Sequence, residues 1–135
     1  MATKIFVNLP VKDLDKSVAF FTKLGFSFNA QFTNENATCM IVGEDIYFML
    51  LVHDFFKKFI NKEIADTSRY AEVINCLSAD SKEKVDELVN LALEAGATAP
   101  KEPMDEGFMY QRSFEDLDGH LWEIVWMDPA AMNPQ

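Results

Sequence analysis

Histidine and cysteine are scarce in this chain, with two of each in 135 residues. His53 and His120 are the only imidazoles, so a metal site built on two histidines would have to recruit both. Cys39 and Cys76 lie in unrelated apolar runs without C-x-x-C spacing. That argues against a disulfide or a structural zinc and for buried free thiols in a reducing compartment. Basic residues are also few: Lys and Arg number 12 against 22 Asp and Glu, a formal net charge of −10. Such a surface repels phosphate backbones, so nucleic acid is not an expected partner. No stretch approaches the roughly 20 apolar residues of a membrane span, and Asp13 falls where a signal peptide would still be apolar. No membrane partner is expected, and the location implied is cytoplasmic.

What is present suits a folded domain. The chain is 49% apolar and 25% charged, too apolar for a disordered segment even at this net charge. Its length fits one compact domain spanning 1–135. The negative surface favours cationic ligands and equally serves solubility.

Apolar periodicity divides the chain into two similar halves. Residues 5–9 are strand formers stopped by Pro10. Asp13 is placed to cap a helix whose stripe is Leu14, Val18 and Phe21 with Phe20 and Leu24, and Gly25 ends it. Strands are expected over 26–32, 37–42 and 46–52. The order then repeats: a strand over 72–77, a cap at Asp80 or Ser81, and a helix carrying Val85, Leu88, Val89 and Ala92 up to Gly96. Strands follow around 97–99, 109–114 and 121–127. Modules of about 4–52 and 71–128 are joined by a connection, 53–70, in which 54–60 reads as a short amphipathic helix. Residues 132–135 read as a tail. The fold class implied is α+β: two βαβββ modules forming a curved mixed sheet, with helices outside and a concave cavity within.

At this point the sequence resembles a known family. The run Val11, Asp13, Ser17, Phe20, Phe21, Leu24-Gly25-Phe26 is similar to the V-x-D-x-x-x-S-x-x-F-Y-x-x-(x)-L-G-F opening of the vicinal oxygen chelate superfamily. This group includes the glyoxalases, bleomycin-resistance proteins and extradiol dioxygenases. Asp116-Leu117-Asp118-Gly119 through Glu123 resembles its D-P-D-G-x-x-x-E closing strand, with Leu117 in place of the proline. The stretch before Leu24 is one residue shorter than in many glyoxalases. The resemblance covers roughly residues 4–128. It implies a divalent ion held by His, Glu or Gln from the first strand of each module and a carboxylate or similar group from the last. Those positions fall on Phe6, Met49, Ile74 and Glu123, of which only Glu123 suits a hard cation. Asn8 shares the face of Phe6 and would be a feeble ligand. No metal and no cofactor are therefore expected.

Alternation places Phe6, Asn8, Tyr47, Met49, Leu51, Ile74, Cys76, Leu121, Glu123 and Val125 towards the cavity. Trp122 and Trp126 fall on the helix-covered face. A carboxylate set among Phe6, Met49 and Ile74 would be desolvated, which suits a general acid or base or the counter-ion of a bound amine. Alternatively, Arg112 pairs with Glu123 and the carboxylate is structural. Tyr110 and Arg112 share a face, either lining the cavity or packing under a helix. Cys76 has no nearby histidine to act as base. His120 is expected in an exposed turn. The function expected is metal-independent binding of a small molecule, cationic or aromatic, by a protein that the resemblance implies is a homodimer. The alternative is an enzyme with an atypical site, lactoylglutathione-lyase-like or extradiol-type.

Overall fold

The computed structural model describes residues 3–132, which divide into two compact units that meet between Asp66 and Thr67 in the sequence. Each unit is a βαβββ module. In the first, β1 (Ile5–Val11) leads into α1 (Leu14–Lys23), followed by β2 (Ser27–Asn29), β3 (Ala37–Gly43) and β4 (Ile46–Val52). In the second, β5 (Ile74–Ser78) leads into α3 (Lys82–Glu94), β6 (Met104–Asp105), β7 (Met109–Glu115) and β8 (Leu121–Met127). Between them lie the single turn α2 (His53–Phe56) and a tighter turn, Lys57–Phe59, where the sequence implied one short helix. The turn α4 (Pro129–Met132) follows β8. The tail expected from Met132 onward lies outside the described residues except at that position.

The strands pair as two four-stranded mixed sheets, one per module, in the orders β1-β4-β3-β2 and β5-β8-β7-β6. In both, the first strand runs parallel to the last and the remaining pairs are antiparallel. The helix ends follow local chemistry. The Asp13 carboxylate accepts from the Lys16 amide and the Ser81 hydroxyl from the Lys84 amide, each satisfying a free N–H of the first turn.

One side of each sheet packs on its helix. In the first module Leu9, Val11, Met40, Phe48 and Leu50 are buried together with Leu14, Phe20 and Phe21 of α1. In the second, Phe114 stacks on Trp122 with centroids 6.2 Å apart, and Ile124, Val85, Val89 and Ala92 complete the core.

Three local expectations change. β1 continues through Pro10 because it is the outer strand of its sheet, where a missing N–H costs no ladder bond. The strand expected at 26–32 shortens to Ser27–Asn29, since the Asn29 side chain accepts from the Gln31 amide and turns Ala30–Phe32 into a 3-10 coil. The strand expected around 97–99 is only an isolated bridge, Thr98 to Glu115, and the outer strand is instead Met104–Asp105.

The turn before β8 is built around a buried carboxylate. Asp116 accepts from the Asp118 and His120 amides at 2.9 and 3.0 Å and from the Trp122 indole at 2.9 Å. Burial pushes its pKa up, while His120 and these donors oppose the shift. His120 is buried rather than exposed, because its amide is drawn inward by this same carboxylate. The Thr67 hydroxyl donates to the Asp118 carbonyl, so Thr67 presses on Gly119. Gly119 has φ +85, and a Cβ there would stand 2.6 Å from the Thr67 oxygen; Gly25, at φ +100, has nothing within 4 Å. Gly25→Ala should cost only the left-handed strain, about 1–2 kcal/mol, whereas Gly119→Ala should cost more. Urea midpoints of the two variants test this, and equal losses would refute the close approach at Gly119.

Candidate functional site

Strand register decides which side chains share a surface. On the sheet face turned away from α1, Phe6, Tyr47, Ile41 and Ser27 form one cross-strand row, and Asn8, Met49, Cys39 and Asn29 the next. The Phe6 and Tyr47 rings stack with centroids 4.9 Å apart and planes 13° from parallel, and Phe6 is 51% exposed. The Tyr47 hydroxyl donates to the Glu44 carbonyl at 3.2 Å. The Lys4 ammonium sits 5.7 Å from the Tyr47 ring centroid and pairs with Asp45 at 2.8 Å. Asn8 is exposed and donates to the Phe6 carbonyl at 3.1 Å. Further along this face Ala37, Cys39 and Leu51 are buried.

In the second module the face turned away from α3 carries Ile74, Leu121 and Glu115 in one row and Cys76, Glu123 and Ser113 in the next. Glu123 is half-buried. Cys76, expected to be buried, is exposed, because its position on β5 points away from the core that Asn75 and Leu77 face. Partial desolvation, and then the neighbouring Glu123, raise the Cys76 pKa above its ordinary value of 9.0. The thiol form therefore prevails at neutral pH, contrary to what a nucleophile needs.

Tyr110 and Arg112 do not belong to this face. They alternate with Gln111 and Ser113 on β7 and therefore point at α3. There the Tyr110 hydroxyl donates to Asp86 at 2.6 Å, and the Arg112 guanidinium donates to Asp86 at 3.0 Å and Asn90 at 3.1 Å. Arg112 is thus not the partner of Glu123, since the two lie on opposite sides of one sheet. Trp122 and Trp126 lie on the α3 side, as alternation implies.

The residues that sequence reasoning missed are Ser113, Gln111 and Glu115. Counting back through the tight turn from Glu123 would have placed Ser113 directly opposite it. His53 opens α2, and His120 is buried in the turn before β8.

This two-module arrangement has close counterparts. The profile of the bleomycin resistance protein-like N-terminal family matches residues 3–43. A hypothetical protein from S. aureus is 30% identical, with 93% of this chain and 95% of that one covered at a TM-score of 0.78. A glyoxalase/bleomycin resistance protein/dioxygenase family enzyme from Burkholderia phytofirmans is 22% identical, covering 93% and 99% at 0.77. A mutant of the fosfomycin resistance protein of Listeria monocytogenes, complexed with Mn(II) and a dihydroxypropylphosphonic acid, is 20% identical, covering 92% and 90% at 0.65. No curated protein matches. The chain belongs to the vicinal oxygen chelate superfamily.

Metal-binding members of the superfamily need hard N and O donors converging on one point. The positions to which the sequence resemblance assigns such donors are Phe6, Met49, Ile74 and Glu123, and the register neighbours of Met49 and Glu123 are Asn8 and Cys76. Taken module by module, a phenyl ring, a thioether and an amide in the first, and an alkyl chain and a protonated thiol beside one carboxylate in the second, do not make a donor set for a hard divalent ion. Among the described residues no group of three or more His, Cys, Asp or Glu side chains gathers in a metal-holding arrangement.

Two outcomes follow from these contacts. Alkylation of Cys76 by iodoacetamide, followed by peptide mass spectrometry, should rise with a midpoint above pH 9.0. Glu123→Gln should lower that midpoint without restoring the ordinary value, and an unchanged midpoint would remove Glu123 from the environment of Cys76.

Hydrogen bonds from Tyr110 and Arg112 hold the Asp86 pKa below its ordinary 3.8. The stability this contributes is complete above that value and lost as pH falls through the lower folded value. The wild type should therefore lose stability more steeply than Asp86→Asn on acidification below about pH 4. Parallel urea-unfolding curves for the two would contradict it.

Proposed function

We propose that this protein binds a small planar or cationic molecule against its open sheet faces without a metal ion. The observation that carries the reading is the Phe6–Tyr47 stack, in which Phe6 is exposed and Tyr47 half-buried, and which takes the place of a metal-ligand position on β1. A stacked pair of rings on adjacent strands with its outer ring exposed is a recognition surface for flat, polarisable ligands. It offers nothing to acid–base or Lewis-acid chemistry. Glu123, the single carboxylate at a superfamily ligand position, supplies a counter-charge for an ammonium group or an acceptor for a ligand N–H. The net charge of −10 concentrates cations at the surface. Likeness to a bleomycin-resistance family over the first module agrees with binding as the activity, and bleomycin itself is a suitable first probe. The protein acts as a homodimer in this reading, which light scattering tests directly.

Protein purified without chelator should contain only substoichiometric zinc, nickel, iron or manganese, and calorimetric titration with metal-free bleomycin or ethidium should saturate. Phe6→Ala should weaken that binding by about tenfold, the worth of one stacked aromatic contact, and Glu123→Gln should weaken cationic probes selectively. Near-stoichiometric metal that is lost in Glu123→Ala would overturn the reading in favour of a glyoxalase-like lyase or an extradiol-type dioxygenase.

A further inference from the structure

The α3 side of the second sheet holds an arrangement that the open-face reading does not use. Asp105 of β6, Tyr110 of β7 and Trp126 of β8 are direct neighbours across three strands. They form a single row of carboxylate, phenol and indole. Lys82, the first residue of α3, lies over this row. Its ammonium is 5.5 Å from the Trp126 ring centroid, 6.0 Å from that of Tyr110 and 3.5 Å from the Asp105 carboxylate. One helical turn later Asp86 accepts the Tyr110 hydroxyl at 2.6 Å and so fixes that ring. Arg112, on the same side of the sheet, is committed to Asp86 and Asn90.

Two aromatic rings and a carboxylate around one cation are the components by which proteins recognise ammonium ions, because the ring quadrupole attracts a charge whose hydration is weak. A lysine ammonium is strongly hydrated and suits such a site less well than a methylated nitrogen. The Lys82 side chain is 39% exposed and the Asp105 side chain 53%, so the lysine can swing into water at the small cost of a surface ion pair. We propose that the Asp105–Tyr110–Trp126 row is a recognition site for small quaternary ammonium ions, occupied by Lys82 until a ligand displaces it. The row lies on the opposite side of the sheet from Glu123 and is independent of the open-face reading.

The test is a choline titration followed by amide and indole NMR shifts of the whole chain. In Lys82→Ala, and in Lys82→Gln, which keeps the stem but not the charge, saturable shifts should centre on Asp105, Tyr110 and Trp126. Their midpoint should lie about two- to fivefold below that of the wild type, whose site must first expel its own lysine. Adding Trp126→Leu to Lys82→Ala should abolish the saturable shifts at Asp105 and Tyr110. The uncharged carbon isostere of choline should produce none. Absence of saturable shifts in both Lys82 variants, or an equal response to the isostere, would overturn the proposal.

Discussion

Parallel pairing of the first strand of each module with its last constrains the molecule more than any other feature. A parallel neighbour cannot be reached through a hairpin, so the chain must cross over, and α1 and α3 are those crossovers. The strands after each helix can then fill the sheet only as antiparallel neighbours. Each sheet acquires one face sealed by its crossover helix and one that is not. A slip of one residue along β1 would turn Leu9 and Val11 outward and bury Phe6 and Asn8. The buried core therefore holds the register, and the register alone puts Asn8 beside Met49 and Cys76 beside Glu123.

The turn from Asp116 to His120 completes this logic in the second module. Its carboxylate gathers two amides and the Trp122 indole, which ties the end of β7 to the start of β8 and anchors Trp122 in the core. Most of the closing motif that marks the superfamily is thus structural chemistry. Asp116 organises the turn and Gly119 accommodates Thr67. The motif's final glutamate, with Leu121 two residues before it, faces away from the helix. A recognisable motif can persist here for reasons of folding while the chemistry of the open face changes.

The limits of strands and helices were legible wherever local chemistry and the core agreed. Asp13 and Gly25 bound α1, and the apolar alternation of 46–52 and 121–127 gave β4 and β8 their observed ends. β6 was not legible because its two residues carry no period of their own and pair only through β7. Pro10 misled because a proline's cost depends on whether its strand has a neighbour on that side, which only the sheet order reveals. Among the site residues, alternation placed Phe6, Asn8, Tyr47, Met49, Ile74, Cys76 and Glu123 on the faces turned away from the helices. It could not choose a face for Tyr110 and Arg112, since a tyrosine and an arginine suit a solvated surface and a helix interface equally. Asp86 and Asn90 on α3 settled that choice.

Charge balance explains why the open faces can be so poor in donors. In a metal site several oxygen and nitrogen donors tolerate one another because the cation offsets their mutual repulsion and their lost hydration. Without the cation, each extra carboxylate on a half-buried sheet face would be a cost, and hydrocarbon or thioether side chains remove it. On the first module's face Phe6 and Met49 bring no charge, and on the second Ile74 brings none, which leaves Glu123 as the charged group of its own row. The remaining carboxylate has Cys76 and Ser113 as its row neighbours, neither of them positively charged. It is left without a cationic partner in its own row, and that open valence is the strongest physical reason to look for a positively charged group on whatever ligand this face receives.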